Sequence, residues 1–431
     1  MAMEQFLNDS VGYEQLTNRK IRENRMGHFA LELQGDNLPA QLTATCSLKR
    51  HDFDFGCNIF MLDQYDTNEE NQRYLDLWKP LFNTAVVPLY WEGTEPRQGL
   101  LRYQSDNGCS MYRRPPASRV LDYCECSGIT PKGHPLFWHE FIPQWLPNDW
   151  NQLLPLIEKR FREISELYAH RIPVFDLLNE PSRIWDMTFE HKNDGYKMVA
   201  PPEGYIEDIF RLGEQYFPDN QLILNDTVGA SFCDFRGGYS GYYQLLRQLL
   251  SQGRKIDKIG LQCHTSDDPV FRNVFCADRL SSLLDTYAGL GREVVISELS
   301  IVSETSEELQ ARAAEQLYRI AFANPSVSGV FWWNLDDNGI LTTKNRSVLG
   351  ENLPSSGLVR NGIPKQAYRT LLDLIHNQWH TEETVVSSNH RIEFDGFFGT
   401  YEVKLHGSNF EKTVTVSLNR NSNPNIKLEL Q

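Results

Sequence analysis

The chain is poor in positive charge: 42 Lys and Arg stand against 57 Asp and Glu over 431 residues, a formal net charge of -15. A surface of that sign works against nucleic acid or an anionic membrane as the main partner, because both bind basic faces. Long apolar runs are missing too, since no stretch of roughly 18 apolar residues is there to span a bilayer. No basic-then-apolar leader opens the sequence, so the expectation is a cytoplasmic chain or a secreted one whose leader was removed. The eight cysteines show no metal-ligand spacing. Cys124 and Cys126 fall inside a predicted helix, where side chains two apart diverge, and reduced, partly buried thiols are the expectation. No Gly-x-Gly-x-x-Gly follows the first predicted strand, which removes the usual dinucleotide loop. These absences point to no metal and no cofactor, and they leave the oligomeric state open.

What is present suits a soluble globular protein. Apolar residues make up 40% and charged residues 23% of the chain, ordinary values for a globular protein, and 12% is aromatic. The length exceeds the roughly 250 residues of a plain (β/α)8 barrel, leaving room for a small extra domain. Eight short apolar segments read as strands, over 53–58, 82–89, 129–137, 172–178, 221–225, 256–262, 293–297 and 328–334. Helical spacing separates them, for example at 151–169, 242–250, 306–323 and 364–375. The alternation predicts an α/β fold, a (β/α)8 TIM barrel, with an open doubly wound sheet as the alternative. Period-two segments at 29–34 and 41–49 flank a Gly-Asp-Asn-Leu-Pro turn and predict a hairpin; residues 391–431 alternate in the same way. One hairpin does not stand alone in water, so both ends are expected to form one small β-sandwich. The domain reading is therefore 1–50 and 381–431 for the sandwich and 51–380 for the barrel.

Chemistry gathers at the predicted strand ends. Glu180 closes the run from Ile172 through Asn179, and Glu298 closes the run from Glu293 through Ser297. Carboxylates at the C-terminal ends of barrel strands sit where that fold places its reactions. A facing pair suits glycosidic cleavage, one donating a proton and the other attacking the anomeric carbon. Asn179 offers an amide donor to a sugar hydroxyl, and His264 a hydrogen bond to Glu298. Trp138, Trp332 and Trp333 offer flat faces for sugar rings. Each has a plainer reading alone, as a helix-start Glu, a structural His or a core Trp; their convergence on one rim favours a site. A weakened barrel that only binds glycan is the competing function, and a metal hydrolase using His134, His139 and His264 is a third.

Over about residues 50–380 the chain resembles family 10 of the glycoside hydrolases, the endo-β-1,4-xylanase family. Gly133-His134-Pro135-Leu136-Phe137-Trp138-His139 resembles its Gly-His-x-Leu-x-Trp-His, and Asp176-Leu177-Leu178-Asn179-Glu180 its Asp-x-x-Asn-Glu. Leu224-Asn225-Asp226, Gly260-Leu261-Gln262-Cys263-His264 and Ser297-Glu298-Leu299 match its later motifs. The resemblance implies a retaining enzyme with Glu180 as acid/base and Glu298 as nucleophile, acting on carbohydrate. His134, Trp138, Asn179, Gln262, His264 and Trp332 would then surround the sugar at the point of cleavage. It also exposes departures. The family's Glu-Asn-x-x-Lys-Trp, whose polar groups hold non-reducing-side sugars, reads here Val86-Val87-Pro88-Leu89-Tyr90-Trp91. A family glutamine is Phe141, and the family's Asp two residues past the nucleophile is Ser300, so His264 is expected to need another partner. Arg102, Arg113, Arg114 and Arg119 flank a polar insertion after strand two. It is expected either to be a solvated loop or to fold over the cleft and hold an acidic sugar decoration.

Overall fold

A computed structural model describes residues 7–8, 11–36, 38–182, 197–227, 237–265, 277–302, 306–340, 355–420, 423 and 425–430. Its centre is a closed parallel barrel of eight strands: Asp54–Asn58, Thr84–Pro88, Thr130–His134, Val174–Asn179, Gln221–Asp226, Lys258–Thr265, Glu293–Ile301 and Val327–Trp332. They are called strands one to eight below. Each pairs in parallel with its neighbour; strand eight pairs with strand one, and strand three pairs with strand four. That closure rules out the open-sheet alternative. A short extension of strand three, Phe137–Trp138, pairs with Leu178 and Asn179.

The alternation that identified the strands also sorts their side chains. Lumen-facing residues, among them Val86, Val174, Ile223, Val295 and Phe331, form one buried cluster with Phe60, Tyr90, Phe141 and Trp333 at the rim. The opposite faces pack under the helices. Helix starts follow from local chemistry. Asp149 caps Trp150–Tyr168 by accepting from the Gln152 amide at 3.1 Å. Ser306 caps Glu307–Ala323, and Thr67 with Glu70 forms a capping box ahead of Asn68–Trp78. Such caps contribute about 1 kcal/mol each. In Ala117–Ser127, Cys124 is buried and Cys126 exposed, as the two-residue spacing requires.

The terminal segments form two further sheets. One orders Arg391–Phe397, Met26–Gln34 and Asn425–Glu429; the other orders Glu382–Val386, Thr43–His51, Gly399–Gly407 and Phe410–Leu418. They face each other through Phe29 and Tyr401, whose ring centroids lie 6.4 Å apart. One expectation fails here. The segments at 29–34 and 41–49 are not a hairpin: Met26–Gln34 pairs with 391–397 and 425–429, while Thr43–His51 pairs with 382–386 and 399–407. The turn carries the chain across the sandwich from one sheet to the other, and each strand finds its partners at the far end of the chain.

Candidate active site

Both glutamates lie at the barrel's C-terminal rim, each just past a slip in strand register. Strand four shifts against strand five between Asp176 and Leu178, and strand seven shifts against strand six between Ile296 and Glu298. Bulges of this kind re-aim side chains and concentrate near active sites. Past its slip, strand seven sends two consecutive side chains to one residue. Ser297 donates its hydroxyl to the side-chain oxygen Oδ1 of Asn225, and Glu298 accepts from Asn225 Nδ2 at 2.9 Å. Glu180 has φ +52°, a left-handed backbone that costs a non-glycine residue free energy, and its N–H donates to the Asn225 carbonyl at 2.8 Å.

A relay of three amides joins the two carboxylates. Gln262 Nε2 donates to Glu180 Oε1 at 3.0 Å and approaches Asn179 Oδ1 at 3.4 Å. Asn225 Nδ2 donates to the same Asn179 oxygen at 2.7 Å and to Glu298. Asn179 thus commits its carbonyl oxygen to two amides, which leaves its NH2 as the donor. The close approach of strands five and six needs Gly260, where an added Cβ would lie 2.5 Å from Asn225 Oδ1. Glu180 and Glu298 are 6% and 5% exposed.

Two histidines address Glu298. His264 Nε2 lies 3.1 Å from Oε2, and its Nδ1 lies 3.0 Å from the Ser300 hydroxyl. Ser300 itself is therefore the partner that His264 was expected to find elsewhere. His134 Nε2 lies 4.0 Å from Glu298 Oε1, and its Nδ1 lies 2.7 Å from Asp176 Oδ2. Asp176 also takes the Lys132 ammonium, all three groups being buried. Burial alone would push the Asp176 carboxyl up, but Lys132 and the His134 hydrogen bond outweigh it and hold the carboxyl below its ordinary value. Asp176 is thus an anion that fixes the His134 tautomer with its N–H on Nδ1. The Lys132–Asp176 pair has a signal in the sequence, a carboxylate in the middle of the apolar run 172–178 and a Lys two residues before His134 on one strand face.

The tryptophans divide by strand parity. Trp138 is partly buried, with its ring centroid 6.1 Å from Tyr90 and 5.0 Å from Phe141. Trp332 corrects an expectation. It is fully buried under the helices, with its indole N–H donating to the Ser356 carbonyl at 3.0 Å. Trp333, one residue on, meets His134 at 5.4 Å and His264 at 6.4 Å. Of the two, Trp333 is the one beside these histidines. The arginines depart from both expectations: Arg102, Arg113 and Arg114 are each at most 3% exposed, so they neither form a solvated loop nor present open guanidinium groups. Arg119 pairs with Asp63 at the surface, at 2.6 Å.

The family model "Glycosyl hydrolase family 10" matches residues 58–374. Endo-1,4-beta-xylanase 3 of Arabidopsis thaliana is 25% identical over 345 residues, which cover 79% of this chain and 41% of that protein. Anti-sigma-I factor RsgI6 of Acetivibrio thermocellus is 24% identical over 94% of this chain and 48% of its own length. The chain thus spans less than half the length of these curated relatives. Among solved structures, xylanase 10B of Thermotoga petrophila RKU-1, in complex with xylobiose, superposes with a TM-score of 0.58 at 20% identity, covering 76% of this chain and 95% of that one. At that identity the likeness establishes the fold.

Proposed function

The chain belongs to glycosyl hydrolase family 10, and on that premise we propose that it hydrolyses β-glycosidic bonds with retention, on xylan-type or related oligosaccharides and polysaccharides. One observation carries the reading: two nearly buried carboxylates on strands four and seven, tied through Gln262, Asn179 and Asn225, with His264 and His134 both turned to Glu298. The surroundings of the two carboxylates support different roles for them. Glu298 is oriented by the Asn225 amide on one oxygen and by His264 on the other, which suits a nucleophile. Glu180, which accepts the Gln262 amide on Oε1 at the end of strand four, suits the proton donor.

In the first step a Glu298 oxygen attacks the anomeric carbon. The bond to the leaving oxygen breaks, and that oxygen takes the proton of Glu180. In the second step water attacks the same carbon, passes a proton to Glu180 and releases Glu298. Asn179 offers its NH2 to the sugar hydroxyl next to the reacting carbon, a contact that strengthens as charge develops. Double displacement requires the carboxylates to be roughly 5–5.5 Å apart.

Hydrolysis of an aryl β-xyloside, with and without a chelator and in Glu298→Ala, tests the reading, with NMR reporting the anomer first formed. Chelator-resistant turnover that gives the β-anomer and disappears in the variant supports it. Sugar binding without turnover in the wild type replaces it with the glycan-binding function; inversion, or loss of activity to the chelator, overturns it.

A further inference from the structure

We propose that the segment at 99–114 closes the nucleophile-side end of the cleft, so that the enzyme removes single sugars from the non-reducing ends of β-glycosides. The inference rests on the glycosidase reading above.

The segment follows strand two and the short helix Trp91–Thr94, and it reaches the loops of strands one and eight. The Tyr112 hydroxyl donates to the Gly339 carbonyl at 2.7 Å. The Arg113 guanidinium donates to Asn334 Oδ1 at 2.7 Å and to the Gly339 carbonyl at 3.3 Å, and the Arg113 N–H donates to Gln64 Oε1 at 3.2 Å. Behind it, Arg102 donates to the Gly93 carbonyl and, at 3.0 Å, to the Arg114 carbonyl. Arg113 adopts φ +58°, a conformation that persists only where surrounding contacts impose it. Three neighbouring strand ends are thereby clasped together.

Under the clasp the volume is filled. The Arg114 guanidinium lies 3.8 Å above the Tyr90 ring and 5.8 Å from Phe60, and Arg113 lies 5.7 Å from Phe60. Phe60 packs on Tyr90 at 5.9 Å and on Trp333 at 5.7 Å, and Tyr90 packs on Phe141 at 5.9 Å. All four rings are at most 3% exposed. Tyr90 and Trp333 each meet His134 at 5.4 Å, and His134 is the residue next to Glu298. The wall thus starts one side chain away from the nucleophile. A second sugar on this side would need the space that Tyr90, Phe60 and the guanidinium groups occupy.

Strand order identifies the closed side. The clasp centres on strand one. Glu298, on strand seven, stands two strands from it, while Glu180, on strand four, stands three away and next to strand five. The acid protonates the departing group, so that group leaves toward strand five, and the sugar attacked at its anomeric carbon sits toward the clasp. The blind end therefore holds the glycone, and one ring fills it.

Labelling by 2,4-dinitrophenyl 2-deoxy-2-fluoro-β-glycosides tests this, with xylo- and gluco-configured probes each made with one sugar or two. Glu298 displaces dinitrophenolate and keeps the sugar as an ester, which intact-mass measurement reads. A one-sugar probe that labels at least about tenfold faster than its two-sugar counterpart supports the proposal. Equal or faster two-sugar labelling overturns it and leaves the glycosidase reading standing. No labelling and no hydrolysis with any probe removes both. A doubly substituted variant, Arg113→Ala with Arg114→Ala, is expected to raise the two-sugar to one-sugar ratio about tenfold. An unchanged ratio in a folded variant overturns the clasp's role, and if the variant does not fold, the wild-type ratio decides.

Discussion

The Ser300 hydroxyl and His264 Nδ1 lie 3.0 Å apart, and the other nitrogen of that ring lies 3.1 Å from Glu298. A neutral hydroxyl can donate to or accept from the ring, so this partner orients His264 without adding negative charge beside Glu298. Ser300→Ala removes the orientation and leaves the carboxylate in place. Losing a bond worth roughly 1 kcal/mol lowers kcat/KM about fivefold to tenfold. Ser300→Asp, which restores an acceptor, is expected to recover part of the loss. Steady-state kinetics on an aryl β-glycoside checks both, and wild-type rates in Ser300→Ala would show that the contact does not matter.

The barrel was legible because short apolar runs alternate with helical spacing eight times, and because Glu180 and Glu298 each end such a run. Four features were not legible, each for a different reason. The strands at 26–34 and 43–51 sit in opposite sheets because their partners lie hundreds of residues away, beyond any local signal. The choice between Trp332 and Trp333 depends on which face the strand presents, and a run of apolar residues with no polar alternation hides that phase. The Ser300 contact depends on strand seven keeping an extended course past its slip, which sets Ser300 opposite His264 in the register. The arginines of the insertion read as exposed because isolated charges usually are; here backbone carbonyls and aromatic faces bury them.

Glu180→Ala separates proton donation from nucleophilic attack. On the proposed mechanism it slows natural oligosaccharides by orders of magnitude, while an aryl glycoside with a good leaving group loses far less in its first step. Both the kcat ratio for the two substrates and the basic limb of the pH profile report this. Equal losses on both substrates would remove Glu180 from the role.

Gly260→Ala tests the amide relay without touching a polar atom. The new Cβ would lie 2.5 Å from Asn225 Oδ1 and 2.9 Å from the Ile223 side chain, inside contact distance. Either Asn225 moves off Glu298 or strands five and six spread apart. Overpacking of this kind costs roughly 1–3 kcal/mol, so both the melting temperature and kcat are expected to fall. A variant with unchanged kcat would show that Asn225 is not needed to position Glu298.

The Lys132–Asp176–His134 group is expected to matter for stability as well as rate. Asp176→Asn leaves a buried ammonium without its counterion, a change that costs about 3–5 kcal/mol. The folded pKa of Asp176 lies below the unfolded value. Its contribution is therefore complete above the unfolded carboxyl pKa and is lost as pH falls through the folded one. Denaturant unfolding of wild type and Asp176→Asn should converge at strongly acidic pH and diverge near neutrality. A constant gap at all pH values would contradict the assignment.

His51 gives a second acid-sensitive point, at the joint between sandwich and barrel. Its ring sits among Phe55, Phe322 and Phe397, at centroid distances of 5.3, 5.9 and 5.7 Å. Burial, with His376 and His380 adding to it, drives its pKa down from 6.5 to about 3. The unfolded chain thus binds a proton that the folded one refuses throughout that window. Stability from this group is fully present above about pH 6.5 and declines as pH falls toward 3. Linkage sets an upper bound on the order of 5 kcal/mol. His51→Phe fills the same aromatic cage with a ring that does not titrate. Its unfolding free energy is expected to vary less between pH 7 and pH 4 than that of the wild type, as urea titrations at the two pH values would measure. Parallel pH dependence in the two proteins would mean that other groups govern acid unfolding.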